Sequence, residues 1–252
     1  MKIGIVAAVY LENQDHVYFM EKTLASLKTS YETYLVLVRN FVDSLVEEDF
    51  IRICQEYKAK VLINPENNVS MAWNCGIANC IENGCEYILV PNLDVVLKSN
   101  CLDRLIEFAE QNKEYLVITA SIWNDERTLE SEDNEDEGVA DSPHFSCFMV
   151  RKSFLDETGG FDENFKPAYA EDNDLHYRMK LLGLKACSIG KARFYHYGSR
   201  TIYLSNDPVL AEARLGSGNT RDYYLSKWGG LPGNEVFKSP FNDPKKLVKE
   251  WG

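Results

Sequence analysis

Residues 85–97, CEYILVPNLDVVL, decide how the rest of the chain is read. An apolar run reaches Val90 and gives way to one acid, Asp94, preceded two places earlier by the amide of Asn92. A short β-branched run bounded by polar residues reads as a buried strand. An acid just past its tip has lost apolar neighbours without reaching a surface turn. As an N-cap for the helix beginning near Ser99 it stands five residues early. A carboxylate so placed suits a hard divalent cation.

Outward from that strand the pattern repeats. KIGIVAAV (2–9), TYLVLV (33–38) and AKVLI (59–63) are short buried-strand runs. Between them lie segments of helical length and period: VYFMEKTLASLKT (17–29), SLVEEDFIRICQEY (44–57) and SMAWNCGIANCIEN (70–83). Strand–helix alternation of this kind predicts right-handed βαβ units, so an α/β fold with a mostly parallel central sheet. A further helix, NCLDRLIEFAEQN (100–112), leads to a fifth strand, YLVITASIW (115–123), and HFSCFMV (144–150) is another. KACSI (185–189) and RFYHYG (193–198) read as two more short strands. We expect a single Rossmann-like domain over residues 1–197, with 198–252 an irregular C-terminal tail packed on it. Residues 124–142 carry nine acids and one arginine, which predicts a mobile surface loop.

The chain has 252 residues and a net charge of −12, which argues against a general nucleic-acid binder. That charge is uneven: residues 1–177 are −19 and residues 178–252 are +7. A basic rim for an anionic ligand and a solvated basic tail are equally open readings. No apolar stretch reaches the ~20 residues of a membrane span, and the first apolar run is too short for a signal peptide. Seven cysteines without regular spacing read as reduced thiols, which points to a cytoplasmic protein.

In open α/β sheets ligands bind beyond the carboxyl ends of the strands. There Asp94 is joined by AAVY, bringing Ala8 and Tyr10, and by VRN, bringing Arg39 and Asn40. No G-x-G-x-x-G follows the first strand and no G-x-x-x-x-G-K-[ST] occurs, so phosphates need a metal or basic side chains. A second acid cluster, AEDNDLHYR, holds Glu171, Asp172 and Asp174. Asp174 reads best as a helix N-terminal acid, whereas Glu171 or Asp172 suits a base held against a substrate. His196, at a strand end in FYHYGSRT, reads by itself as a packed or hydrogen-bonding residue sooner than a ligand.

These residues also carry a resemblance. NLD (92–94) resembles the Asp-x-Asp metal motif of family 2 glycosyltransferases, inverting enzymes with the GT-A fold. NNVSMAWNCGI (67–77) resembles that family's helix after strand three. GGFDENFKPAYAEDNDLHYRMKLLG (159–183) resembles its GGFDE…ED-x-D…R stretch, and YYLSKWGG (223–230) a tail element of its smaller members. The resemblance implies that Asp94 coordinates Mg²⁺ or Mn²⁺ on the diphosphate of a nucleotide-sugar, with His196 as second ligand. Asp172 is then the base and Glu171 positions acceptor or donor sugar. Ala8, Tyr10, Arg39, Asn40, Asn67, Asn74, Asn92 and Arg200 surround the donor. Three positions depart from the family pattern: Asn92 replaces the first Asp, Arg39–Asn40 stand where a base-reading Asp is common, and Trp73 replaces an arginine.

A nucleotidyltransferase shares carboxylate–metal chemistry but calls for a Gly-rich basic loop after strand one, where AAVYLENQD is acidic. A non-catalytic sugar-nucleotide module does not need an acid at position 172. The cations Arg193, Arg200, Arg214, Arg221 and Lys227 fall close to the inferred site, and Arg200 is placed to close over the diphosphate. Their number suggests an anionic acceptor: a phosphate-bearing glycan, a lipid-linked phosphate or a nucleic acid. The alternative is that they only neutralise the acidic domain.

Overall fold

A computed structural model describes residues 1–131, 138–214 and 218–250. The strands are β1 (Lys2–Leu11), β2 (Glu32–Val42), β3 (Lys60–Ile63), β4 (Tyr87–Pro91), β5 (Val95–Leu97), β6 (Tyr115–Trp123), β7 (Val139–Ala140), β8 (Cys147–Arg151) and β9 (Lys185–His196). The helices are α1 (Gln14–Ser26), α2 (Glu47–Glu56), α3 (Val69–Glu82), α4 (Cys101–Gln111), α5 (Phe154–Thr158), α6 (Glu171–Leu182), α7 (Arg200–Tyr203), α8 (Pro208–Arg214) and α9 (Asn219–Trp228).

One sheet runs β3-β2-β1-β4-β8-β6-β9-β5, with β7 added along β9. Alternation within each strand divides its apolar side chains between the two faces. Val6, Ile88, Val90 and Phe148 pack with Trp73 and Ile77 of α3 and Leu175 of α6. Ile5, Leu89 and Met149 pack with Leu102, Leu105 and Ile106 of α4 on the other face. Helices α1 and α2 close the first part of the sheet through Val17, Met20, Phe50 and Ile53. The approach of α3 to β1 is close: a Cβ at Gly76 would lie 2.3 Å from Val6 Cγ1, so no larger residue fits without moving the helix.

Six of the nine described strands, β1, β2, β3, β4, β6 and β9, run in one direction, as a mostly parallel sheet predicts. Strands β3, β2, β1 and β4 are parallel, but β8 is antiparallel to both β4 and β6. Among the described residues between β6 and β8 there is no crossover helix of the kind a parallel connection uses, in keeping with β8 running back. Its apolar composition cannot show that, because a strand buried on both faces reads alike in either direction. The two short strands expected after α6 are the single strand β9, whose register to β6 jumps from Ala120↔Ile189 to Ser121↔Arg193.

Part of the acidic stretch 124–142 also differs from a mobile loop. Leu129 is buried, Glu126 pairs with Lys22 at 2.7 Å, and Val139–Ala140 form β7. Residues 132–137, most of its acids, lie outside the described residues. The tail is less irregular than expected, since α7, α8 and α9 all fall within it. All seven cysteines are free. Among the described residues no helix is long and apolar enough to cross a membrane.

Candidate active site

The carboxyl ends of β1, β2 and β4 open on one cleft, lined by Ala8, Tyr10, Asn40, Asn67, Asn92 and Asp94. Its opposite wall is the start of α6, Glu171 and Asp172, with His196 from the end of β9. The tail crosses above it, contributing Ser199, Ile202 and Leu210.

Asp94 is buried between β4 and β5, and both its oxygens are engaged. Oδ1 lies 3.1 Å from His196 Nε2, and Oδ2 accepts the Arg200 backbone N–H at 2.8 Å. The alignment follows from pairing of β5 with β9, in which Val95 opposes His196. Neighbouring ligands of an octahedral Mg²⁺, with bonds of about 2.1 Å, stand about 3.0 Å apart. The Asp94–His196 separation fits such a pair. Among the described residues no third His, Cys, Asp or Glu joins them, so an ion held here would need its remaining ligands from outside the protein.

The second wall is held by the loop ahead of α6. Gly160 has φ +79°, and a Cβ there would meet Asn74 Oδ1 at 2.6 Å. Asn74 clamps this loop: its Oδ1 accepts the Phe161 N–H and its Nδ2 donates to the Phe161 carbonyl, both at 2.8 Å. Tyr169 and Ala170 then adopt left-handed backbone conformations with φ of 78° and 70°. Side chains pay for that conformation in strain, which collects at functional sites. The result turns Glu171 and Asp172 into the cleft.

Glu171 is 7% exposed, and its Oε2 has no hydrogen-bond partner. Burial, then the neighbouring Asp172 charge, pushes its carboxyl up to about 8. Asp172 is half-buried and accepts the Asn173 backbone N–H at 2.7 Å. Burial raises its carboxyl above the ordinary value as well.

Three expected site residues stand elsewhere. Arg39 turns away from the cleft to a two-pronged pair with Glu47, both contacts 2.6 Å, because the α2 carboxylate satisfies its fork. Asn74 is occupied by the loop it clamps, so it supports the site without lining it. Arg200 reaches Asp94 only by its backbone, and its side chain is exposed outside the cleft lining. Trp73 does line the cleft, but it is buried against Phe148 and Phe161.

The basic rim also changes. Lys227 is fully buried, 2.6 Å from Asp162 Oδ2 and 2.7 Å from Asp174 Oδ1. Arg193 is buried with its guanidinium 4.4 Å from the Trp123 ring centre. Arg214 covers Tyr203, and Arg221 lies 3.7 Å from Asp222. Asp174 is not simply a helix-terminal acid, for it also takes Arg178 Nε at 2.7 Å and Trp228 Nε1 at 2.8 Å. This cluster fastens α9 to the helix that carries Glu171 and Asp172.

Reasoning from sequence missed Tyr169 and the tail's cleft residues. Tyr169 lies inside the stretch 159–183, but nothing in its type announces a left-handed backbone. The tail is strapped down by Tyr10 Oη to Ser205 Oγ at 3.0 Å and by Asn206 N–H to Glu12 at 3.1 Å. Those pairings join residues far apart in the chain.

Solved structures share this architecture. GalNAc-T7, in a crystal structure with UDP, GalNAc and Mn²⁺, matches with a TM-score of 0.62 and 12% identity over 90% of this chain. The present chain spans 50% of that one. Residues 1–349 of S. aureus TarS, in complex with UDP, match with a TM-score of 0.59 and 14% identity, covering 90% of this chain and 70% of that one. These likenesses define a GT-A fold. In sequence, the model of glycosyl transferase family 2 matches residues 18–162, and the chain belongs to that family. The rhamnosyltransferase WbbL of Escherichia coli (strain K12) is 24% identical over 224 residues, 75% of this chain and 82% of that one. The protein is a glycosyltransferase.

Proposed function

We propose that this glycosyltransferase moves a sugar from a nucleoside-diphosphate-sugar to an acceptor hydroxyl with inversion at the anomeric carbon. The observation that carries the reading is that Asp172 and the Asp94–His196 pair face one cleft from different elements. The UDP and Mn²⁺ held by GalNAc-T7, and the UDP held by TarS, support a nucleotide-sugar donor and a divalent metal.

Asp172 takes the proton of the attacking hydroxyl. Burial raises its proton affinity, which strengthens it as a base. The acceptor oxygen bonds to the anomeric carbon as the bond to the diphosphate breaks on the opposite face. Glu171 orients acceptor or donor sugar with its unpartnered Oε2. Asp94 and His196 would hold Mn²⁺ or Mg²⁺, which supplies positive charge for the departing diphosphate. Asn92 adds a neutral amide beside them, and Ala8, Tyr10, Asn40 and Asn67 form the nucleotide wall. In this reading residues 1–197 are the catalytic body, and 198–252 complete the cleft from above.

An anionic acceptor now rests on Arg200, Arg214 and Arg221, the members of the rim that are not buried. Exposed charge is screened over a Debye length of ~8 Å at physiological ionic strength. Acceptor KM rising with salt while donor KM stays flat supports that acceptor class; a flat acceptor KM removes it.

The function is tested by sugar release and transfer across a panel of nucleotide-sugars, with and without Mn²⁺, with the anomer of the product read by NMR. Turnover of one donor class, dependent on metal and inverting, is expected. Retention of configuration, or no turnover of any donor, overturns the reading.

A further inference from the structure

Strand β3, Lys60–Ile63, ends the sheet and pairs on one side only, with β2. That pairing fixes which backbone groups its free side presents. Arg39 opposes Ile63, and the Asn64 N–H donates to the Arg39 carbonyl at 2.9 Å. In a parallel ladder alternate residues turn both polar groups to the neighbouring strand, so Leu62 and Asn64 face β2. Val61 and Ile63 therefore point N–H and C=O away from it. Among the described residues no backbone hydrogen bond meets them. An unpaired edge of this kind is a template for another strand.

The side chains of this edge are apolar. Ile63 is 78% exposed. Alternation sets it on the same face as Val61, which packs against the cluster holding Phe50 and Ile53 of α2. Beside Val61 an open groove runs between β3 and α2, lined by Phe50, Ile51 and Cys54. Leu62 lies on the opposite face, against the α3 core. Lys60 is the strand's one charge.

We propose that β3 pairs with β3 of a second copy of this chain, antiparallel about a twofold axis at Leu62, so that two sheets join into one. The register follows from the polarity of the edge. Directly opposed antiparallel residues exchange both their hydrogen bonds when their polar groups face each other. Outward-facing Val61 of one copy then opposes outward-facing Ile63 of the other, and the reverse, around a close Leu62–Leu62 pair. Registers centred on Val61 or Ile63 match the polarity less well. The first brings in Ala59, whose N–H is already given to the Cys54 carbonyl at 2.9 Å, and the second brings in Pro65, which has no N–H. In the Leu62 register Ile63 of each copy covers Val61 of the other and enters its groove. Lys60 falls opposite the uncharged Asn64, and Lys58 comes toward Glu66 of the second copy. A surface that fits itself in this way makes a closed twofold contact, the commonest kind among oligomers.

Sedimentation velocity over a dilution series tests the pairing. The parent should sediment as a dimer that dissociates on dilution. Ile63→Lys sets a charge into each groove and should raise the dimer Kd about a hundredfold or more, since the change occurs twice. Ile63 is exposed in the single chain, so the thermal melt of this variant should match the parent's at a dilution where both are monomeric. Leu62→Cys reads the register. Its two copies form a non-hydrogen-bonded pair with Cα atoms ~4.5 Å apart, within disulfide reach. Oxidation with diamide should link that variant into a dimer reversed by dithiothreitol, in excess of any link through the parent's own thiols. A parent monomeric throughout the series overturns the inference and leaves the edge to a strand of another protein. A dimer untouched by Ile63→Lys, or one that Leu62→Cys does not link, overturns it as well.

Discussion

Replacing Lys227 by Met tests whether the buried ionic cluster fastens the tail to the catalytic helix. Lys227, Asp162, Asp174 and Arg178 are all fully buried, and their two negative and two positive charges cancel. Met fills nearly the same space as the lysine stem, so the change removes chiefly a charge. Asp162 then keeps the Tyr223 hydroxyl at 2.9 Å, and Asp174 keeps Arg178 and Trp228. One negative charge remains without compensation. Removing one partner of a buried pair costs about 3–5 kcal/mol, a large share of the 5–15 kcal/mol typical of a folded domain. With a urea slope of about 3 kcal/mol/M, the midpoint at pH 7 should fall by roughly 1–2 M.

The pH dependence has a defined sign. Burial raises the Asp174 carboxyl, but Arg178 and Lys227 outweigh it and hold the group below its usual 3.8. A depressed carboxylate contributes stability above its unfolded value and loses it as pH falls through the folded one. In the variant the uncompensated carboxylates protonate at higher pH, so the deficit should narrow below about pH 5. Urea melts followed by circular dichroism at pH 7 and pH 4.5 measure both effects. A loss under about 1 kcal/mol at pH 7 would refute the reasoning, since a solvated pair is worth no more than that.

Three further outcomes follow from the site. Asp172→Asn should lower transfer by about 10²–10⁴-fold, the range for general-base catalysis, with donor Kd nearly unchanged; near-parental turnover removes Asp172 from the base role. Asp94→Ala should abolish Mn²⁺ binding in the presence of nucleoside diphosphate, and His196→Ala should weaken it less; parental titrations for both would put the metal elsewhere. The Glu171 carboxyl is raised to about 8 from 4.5, so its stabilising contribution is complete below pH 4.5 and lost as pH rises through 8. Glu171→Gln should therefore gain Tm over the parent on going from pH 5 to pH 8.5, and a pH-independent difference would contradict that burial.

Much of this architecture can be read from the chain. Helical period marks α1, α3 and α4 to within a few residues, and short apolar runs mark β1, β2, β4, β6 and β8, because local pattern reports which faces are buried. Asp94, Asn92, Glu171, Asp172 and His196 stand out as polar residues at element ends, where an α/β sheet opens its crevice. What needed the tertiary structure was partnership and direction. Composition gives β8 no orientation, since burial on both faces erases the alternation that would distinguish its surroundings. It cannot separate Arg39 from Asn40 either, because a one-residue bulge in β2 decides which side chain enters the cleft. Nor does it show that Lys227 is in the core, for a lysine is soluble in sequence terms until two buried carboxylates, Asp162 and Asp174, arrive from elsewhere in the chain. Periodicity is a property of neighbours along the backbone, whereas charge pairing and register are set between segments that only folding brings into contact.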